Sequence, residues 1–119
     1  MEFMIQLYIN NPEEAMALYK EAFDAELKYI EYTSENTFLY SEIEAYGQKI
    51  AIGTTTDTPV TGTVSLIDIR MKKEEDVRRV YEILKEGSQV NIPIGPCPYS
   101  SCMVDFVDKF QVRWCLFVG

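Results

Sequence analysis

Phe3-Met4-Ile5-Gln6-Leu7-Tyr8-Ile9, then Asn10-Asn11-Pro12-Glu13-Glu14, then Ala15, Leu18, Tyr19, Ala22 and Phe23 at helical spacing, form the stretch that sets the fold. In the first run Phe3, Ile5, Leu7 and Ile9 share one strand face, and Met4, Gln6 and Tyr8 share the other. Asn11 suits a helix cap. Pro12 suits the first helical position, where a missing N–H costs nothing, and the two acids favour the positive end of the helix. The apolar stripe of that helix must pack on something, and the apolar strand face is the nearest candidate.

Outward from this unit, three strand-like runs follow at about Glu26 to Thr33, Thr37 to Glu44 and Gln48 to Thr54. The breaks at Ser34-Glu35-Asn36 and Ala45-Tyr46-Gly47 are short enough for antiparallel hairpins. Residues 55–62 lack periodicity and contain Pro59 and Gly62, so they read as a linker. The order then repeats. A strand is expected from Thr63 to Met71, and a helix from about Lys73 to Glu86 with Val77, Val80, Tyr81 and Leu84 in one stripe, stopped by Gly87. Strands follow at about Gln89 to Ile94, Ser100 to Val107 and Gln111 to Val118, with Pro93, Pro96 and Pro98 loosening the first into an edge or a loop. Tyr19 and Tyr81 hold matching helix positions 62 residues apart, close to half the chain, so the pattern is two copies of one strand-helix-strand-strand-strand unit.

Composition narrows the function. The chain has 119 residues, 11 Lys and Arg against 19 Asp and Glu, a net charge of −8 and no histidine. At this length a single domain is expected, and 47% hydrophobic residues supply a core. The longest basic runs are Lys72-Lys73 and Arg78-Arg79, too little for a nucleic-acid surface. No segment reaches the ~18 apolar residues of a membrane span, and Met1-Glu2 leads straight into a strand pattern without a basic leader. Cys97, Cys102 and Cys115 are odd in number and lack zinc-motif spacing, which suits a reducing compartment, so a cytoplasmic protein is expected. Without histidine there is no Ser-His-Asp or Cys-His nucleophile and no imidazole metal site.

Two segments resemble a known family. Glu13-Glu14-Ala15 with Leu18-Tyr19-Lys20-Glu21-Ala22-Phe23, and more specifically Val107-Asp108-Lys109-Phe110-Gln111-Val112-Arg113-Trp114, are similar to the vicinal oxygen chelate superfamily (glyoxalase, bleomycin-resistance protein, extradiol dioxygenase), in its PhnB-like branch. Members of that branch tend to have Gly where this chain has Gln111, and often have Gly where it has Asp24. The resemblance implies an α+β fold: two tandem βαβββ modules whose mixed sheets form cups, with helices packed on the outer face. Module one would be about 1–54 and module two about 63–119, in one domain usually completed in a homodimer. Metal-using relatives place His or Glu near positions that thread onto Met4, Ile50 or Ile52, Thr63 and Cys115. None of these is a carboxylate or an imidazole, so no metal and no other cofactor is expected.

Alternation places Ile5, Leu7, Val64, Leu66, Val112, Trp114 and Leu116 under the helices. The opposite, cup-side faces carry Gln6 and Tyr8, Ser65 and Ile67, and Arg113, Cys115 and Phe117. Gln6, Tyr8, Ser65, Arg113, Cys115 and Phe117 are thus the candidate ligand-binding residues, polar groups among apolar walls. Arg113 could hold an anionic or carbonyl group with its planar fork, or sit in a surface ion pair. Cys115 beside it would be a thiol of lowered pKa, or a plain buried cysteine. Glu42 and Glu44 share a strand face without other groups converging on them. The tyrosines are expected to scatter over both faces.

The leading functional expectation is metal-independent binding of a small molecule, with a cationic or aromatic ligand suited to an acidic, tyrosine-rich chain. The alternative is a metal-free enzyme acting on a small carbonyl or aromatic metabolite, led by Arg113, Cys115 or a Tyr. A structural dimer module is a third reading. The methyltransferase label sometimes given to PhnB-like sequences would require a methyl donor, and no Gly-rich nucleotide loop exists here.

Overall fold

A computed structural model describes all residues, 1–119. The chain divides into two compact units, Met1–Pro59 and Val60–Gly119, with the division inside the 55–62 stretch. Each unit is a four-stranded mixed sheet with one helix, and the two have the same topology.

In module one the elements are β1 (Ile5–Ile9), α1 (Pro12–Ala22), β2 (Glu26–Tyr32), β3 (Phe38–Ala45) and β4 (Gln48–Thr54), in sheet order β1-β4-β3-β2. β1 runs parallel to β4 and the other pairs are antiparallel. Pro12 opens α1, and Ala15, Tyr19 and Ala22 are fully buried on its inner stripe. They lie over the face formed by Leu7, Ile9, Ser41, Ile43 and Ile52. Phe3 lies before the first ladder pair and is 89% exposed, so the apolar face of β1 becomes buried only toward Ile9.

Module two repeats this with β5 (Ile67–Met71), α2 (Glu74–Leu84), β6 (Gln89–Cys97), β7 (Ser100–Val107) and β8 (Arg113–Val118), in order β5-β8-β7-β6. Both helices have 11 residues and start 62 residues apart, so Tyr19 and Tyr81 do occupy equivalent positions. Val77, Val80 and Leu84 are buried, and Trp114, Leu116, Val104 and Phe106 form the sheet side of this core. The prolines of β6 are accommodated because it is an edge strand with shifts in register.

The strand expected from Thr63 begins only at Ile67. Its partner β8 starts at Arg113, so residues 63–66 have no ladder to join. Val64, expected under the helix, is 99% exposed, and Leu66 is exposed as well. The ladder also sets the phase: Ile67 pairs with Trp114 and Asp68 with Cys115, so Ile67 belongs to the helix side and Asp68 and Arg70 to the opposite face. An error of one residue in strand phase exchanges every side chain between faces.

The turn before β8 rests on one buried carboxylate. Asp108 accepts hydrogen bonds from the Phe110 N–H (2.9 Å) and Val112 N–H (3.1 Å) through Oδ1, and from Trp114 Nε1 (2.8 Å) through Oδ2. Asp108 and Trp114 are therefore architectural, binding the turn to the core. Gln111 in this turn has φ +72° and Asp24 after α1 has φ +51°. These are the two positions where the resemblance leads one to expect glycine, and a left-handed backbone, which glycine adopts most easily, is a physical reason for that expectation.

Candidate functional site

On each sheet the face turned away from its helix carries most of the candidate residues. In module two Arg113, Cys115 and Phe117 alternate along β8 on this face, flanked by Asp68 and Arg70 on β5 and by Met103 and Asp105 on β7. Asp68, Cys115 and Asp105 stand directly opposite one another across three strands. Ser65 is not with them, since it lies ahead of β5 and is exposed.

Arg113 is engaged by the protein itself. Its Nε donates to Asp105 Oδ1 at 3.1 Å and its Nη2 to Oδ2 at 2.8 Å, the bidentate geometry of a strong charge-assisted pair. Asn91 Nδ2 donates to the same Oδ1 at 3.1 Å. The Arg113 fork, and then Asn91, hold the Asp105 carboxyl below its ordinary 3.8 against the opposing effect of burial. With its fork on Asp105, the guanidinium does not activate the neighbouring thiol. Burial, followed by the Asp68 and Asp105 carboxylates, pushes Cys115 up to about 11, against the lowering expected from Arg113. Cys115 is a buried thiol held in its protonated form, which agrees with the plain buried cysteine and not with the thiol of lowered pKa, the two readings its sequence position offers. Phe117 meets Tyr99 edge-on at 5.9 Å, and the Arg70 guanidinium sits 5.9 Å from its ring centre.

In module one Gln6 and Tyr8 share a face with Ala51 and Gly53 of β4, Tyr40 and Glu42 of β3, and Tyr29 and Glu31 of β2. Gln6 Nε2 donates to the Tyr8 hydroxyl at 2.8 Å, and Tyr8 leans over Gly53, its ring carbons 3.5 Å from where a Cβ would stand. Tyr40 flanks the same glycine at 3.8 Å. The Tyr40 hydroxyl donates to Glu42 at 2.7 Å and that of Tyr29 to Glu31 at 2.8 Å, with the two rings 6.0 Å apart. Burial, then the bond to Glu42, pushes the Tyr40 hydroxyl up to about 12, and the bond to Glu31 raises Tyr29.

The tyrosines were expected to scatter, yet Tyr8, Tyr29 and Tyr40 share this face. A register shift between Leu27 and Tyr29 inserts one extra residue and turns Tyr29 onto the side of Glu42. Alternation alone cannot reveal such a bulge. A readable signal was available in the charge count taken by halves. Residues 1–59 contain three basic and eleven acidic residues (3 − 11 = −8), and residues 60–119 contain eight of each, so the whole net charge lies in module one. Six of the eight tyrosines lie there too.

The residues do not fit the superfamily's metal centre. Ile52 is fully buried on the helix side, Thr63 precedes β5, Met4 precedes β1, and of the threaded positions only Cys115 lies on a strand face opposite a helix. Moving one residue along β4 reaches Ala51 or Gly53, neither of which can ligate a metal. No group of three or more Cys, Asp or Glu side chains is placed to hold a metal ion.

No family model and no curated protein matches the sequence. Solved structures match over the whole chain. The PhnB protein of Bacillus cereus is 24% identical with a TM-score of 0.85, covering 100% of both chains. Protein PA1353 of Pseudomonas aeruginosa is 17% identical with a TM-score of 0.86, covering 100% of this chain and 98% of that one. The fosfomycin resistance protein FosX of Listeria monocytogenes, also solved with Mn(II), is 19% identical at a TM-score of 0.76, covering 100% and 93%. The fold is thus that of the vicinal oxygen chelate superfamily. No helix is long and apolar enough to cross a membrane.

Proposed function

We propose that this chain is a metal-independent small-molecule-binding protein of the glyoxalase/bleomycin-resistance type that takes a cationic or aromatic ligand on the sheet faces turned from the helices. The observation that carries this reading is the character of those faces. Hydrogen bonds fix polar groups (Gln6 on Tyr8, Arg113 on Asp105) beside apolar and aromatic surface (Phe117, Met103, Tyr40), as a pocket wall requires.

The functional unit in this proposal is a homodimer acting in the cytoplasm, with no nucleic-acid or membrane partner. Exposed apolar residues support the dimer: Phe3, Met4 and Ile5 in module one and Val60, Val64 and Leu66 in module two are surface that a second copy would cover.

Native mass spectrometry of protein purified without chelator tests these points in one spectrum. The expected result is a dimer with no stoichiometric metal and, where ligand is retained, a small-molecule adduct. A tightly held metal ion would overturn metal independence, and a monomer would overturn the dimer.

A further inference from the structure

We infer that the sheet face of module one around Gly53 is a site for an organic cation, an ammonium group with apolar substituents seated against Tyr8, Tyr29 and Tyr40 and neutralising Glu42 and Glu31. This rests on the small-molecule-binding reading above and assigns it a ligand class and a place.

The argument comes from the internal repeat. Registering the two sheets on their helix-side pairs Ser41–Ile52 and Val104–Leu116 makes Glu42 equivalent to Asp105, Ala51 to Cys115, Gly53 to Phe117, Tyr40 to Met103 and Tyr8 to Arg70. Module two completes both of its interactions internally: Arg113 neutralises Asp105, and Arg70 lies over the Phe117 ring. Module one keeps the carboxylate, Glu42, has Gly53 where module two has Phe117, and has tyrosines, Tyr8 and Tyr40, where module two has Arg70 and Met103, so it carries negative and aromatic groups and no cation among them. The counterpart of Arg113 is Lys49, and neither Glu42 nor Glu31 has a Lys or Arg nitrogen within 4.0 Å. Their bonds come from tyrosine hydroxyls instead, which orients the phenol rings and leaves both carboxylate charges in place. Tyr8 is 61% exposed and Tyr29 47%, so ring surface is accessible.

A cation is attracted both by the electron-rich ring faces and by the carboxylates, and apolar substituents on it would cover the rings. Charge complementarity extends beyond the face, since module one carries the full −8 of the chain. An anion would meet the opposite conditions.

The test uses the full-length protein, labelled with 15N, and two probes of nearly the same shape: phenyltrimethylammonium and neutral tert-butylbenzene. The expected result is that the cation shifts the amide signals of Tyr8, Tyr40 and Gly53, with an affinity about three- to tenfold above that of the neutral probe, as an exposed cation–π contact plus a carboxylate provides. Glu42→Gln, which keeps an acceptor for Tyr40, and Tyr8→Leu, a change at an exposed side chain, should each weaken the cation about three- to tenfold. Neither should alter the neutral probe by a similar factor.

Equal affinity for both probes, or a cation affinity unaffected by both substitutions, overturns the inference. Shifts confined to Asp105, Cys115 and Phe117 also overturn it while leaving small-molecule binding standing. A protein that retains no ligand on purification, and shifts with neither probe nor any member of a metabolite library, fails the broader reading as well.

Discussion

The two modules share one topology and solve the same local problems with different chemistry. Module one closes its β3–β4 hairpin by backbone conformation: Tyr46 and Gly47 both have positive φ, +53° and +76°, as a tight two-residue turn requires. Module two closes the equivalent β7–β8 connection with a side chain, the buried Asp108 carboxylate. The sheet faces differ in the same way. A carboxylate in module two is answered by a guanidinium, and its counterpart in module one by a phenol. Topology fixes where a group stands, and the group opposite decides what it can do.

Asp108→Ala should show the largest effect. It leaves two backbone N–H groups and the Trp114 indole N–H without their acceptor inside the core, so a loss of roughly 3–5 kcal/mol is expected in urea unfolding. The module-one turn has no such dependence on a single side chain. A loss below about 1 kcal/mol would break the contrast.

Thiol reactivity comes next. With Cys115 at about 11, its thiolate fraction at pH 8 is about a hundredfold below that of a cysteine at the ordinary value of 9.0, and alkylation should slow by about that factor before any effect of burial. Peptide mapping after iodoacetamide treatment would find Cys115 unlabelled while Cys97, half-buried, reacts. Rapid modification of Cys115 would restore the activated-thiol reading.

Arg113→Met tests the internal ion pair through pH. Asp105 has a folded pKa below its ordinary 3.8, so the stability it contributes is present above that value and is lost as pH falls through the folded pKa. Removing Arg113 should lower the urea midpoint at pH 7 and flatten the fall in stability below about pH 4. An identical acid limb in wild type and Arg113→Met would remove the pair from the account.

Much of the fold could be read in advance because it depends on local pattern. The Pro12 start, the 62-residue spacing of Tyr19 and Tyr81 and the faces of β1 and β8 followed from periodicity alone. The site was less legible for two physical reasons. Phase on β5 depends on where β8 begins, which Asp108 decides through its turn, so alternation puts Ile67 on the cup side when it belongs to the helix side. Phase on β2 depends on a bulge, so the grouping of Tyr29 with Tyr40 was missed. Arg113 lies on the expected face and forms an ion pair, one of its two sequence readings, but the partner could not be named because Asp105 lies on another strand whose register the sequence does not state.

A smaller effect is expected where the chain departs from glycine. Asp24→Gly relieves a left-handed backbone at an exposed position and should stabilise by about 0.5–1 kcal/mol. Gln111→Gly should gain less, because Gln111 Oε1 also accepts a hydrogen bond from Thr61 at 2.9 Å that glycine would lose. Equal gains at the two sites would mean that the Thr61 bond contributes nothing.

The smallest predicted change concerns the helix-side faces. Ser41 of module one is fully buried and its hydroxyl has no hydrogen-bond partner, whereas the equivalent residue of module two is the apolar Val104. A buried hydroxyl that has given up water without a replacement partner lowers stability. Its neighbours across the ladder, Ile30 and Ile52, offer no polar side chain. Ser41→Ala removes the hydroxyl and leaves only a small void, so thermal unfolding should shift upward by the equivalent of at most about 1 kcal/mol. A clear loss of stability would mean that the hydroxyl makes a bond in solution, and that this face of module one is polar by design where that of module two is not.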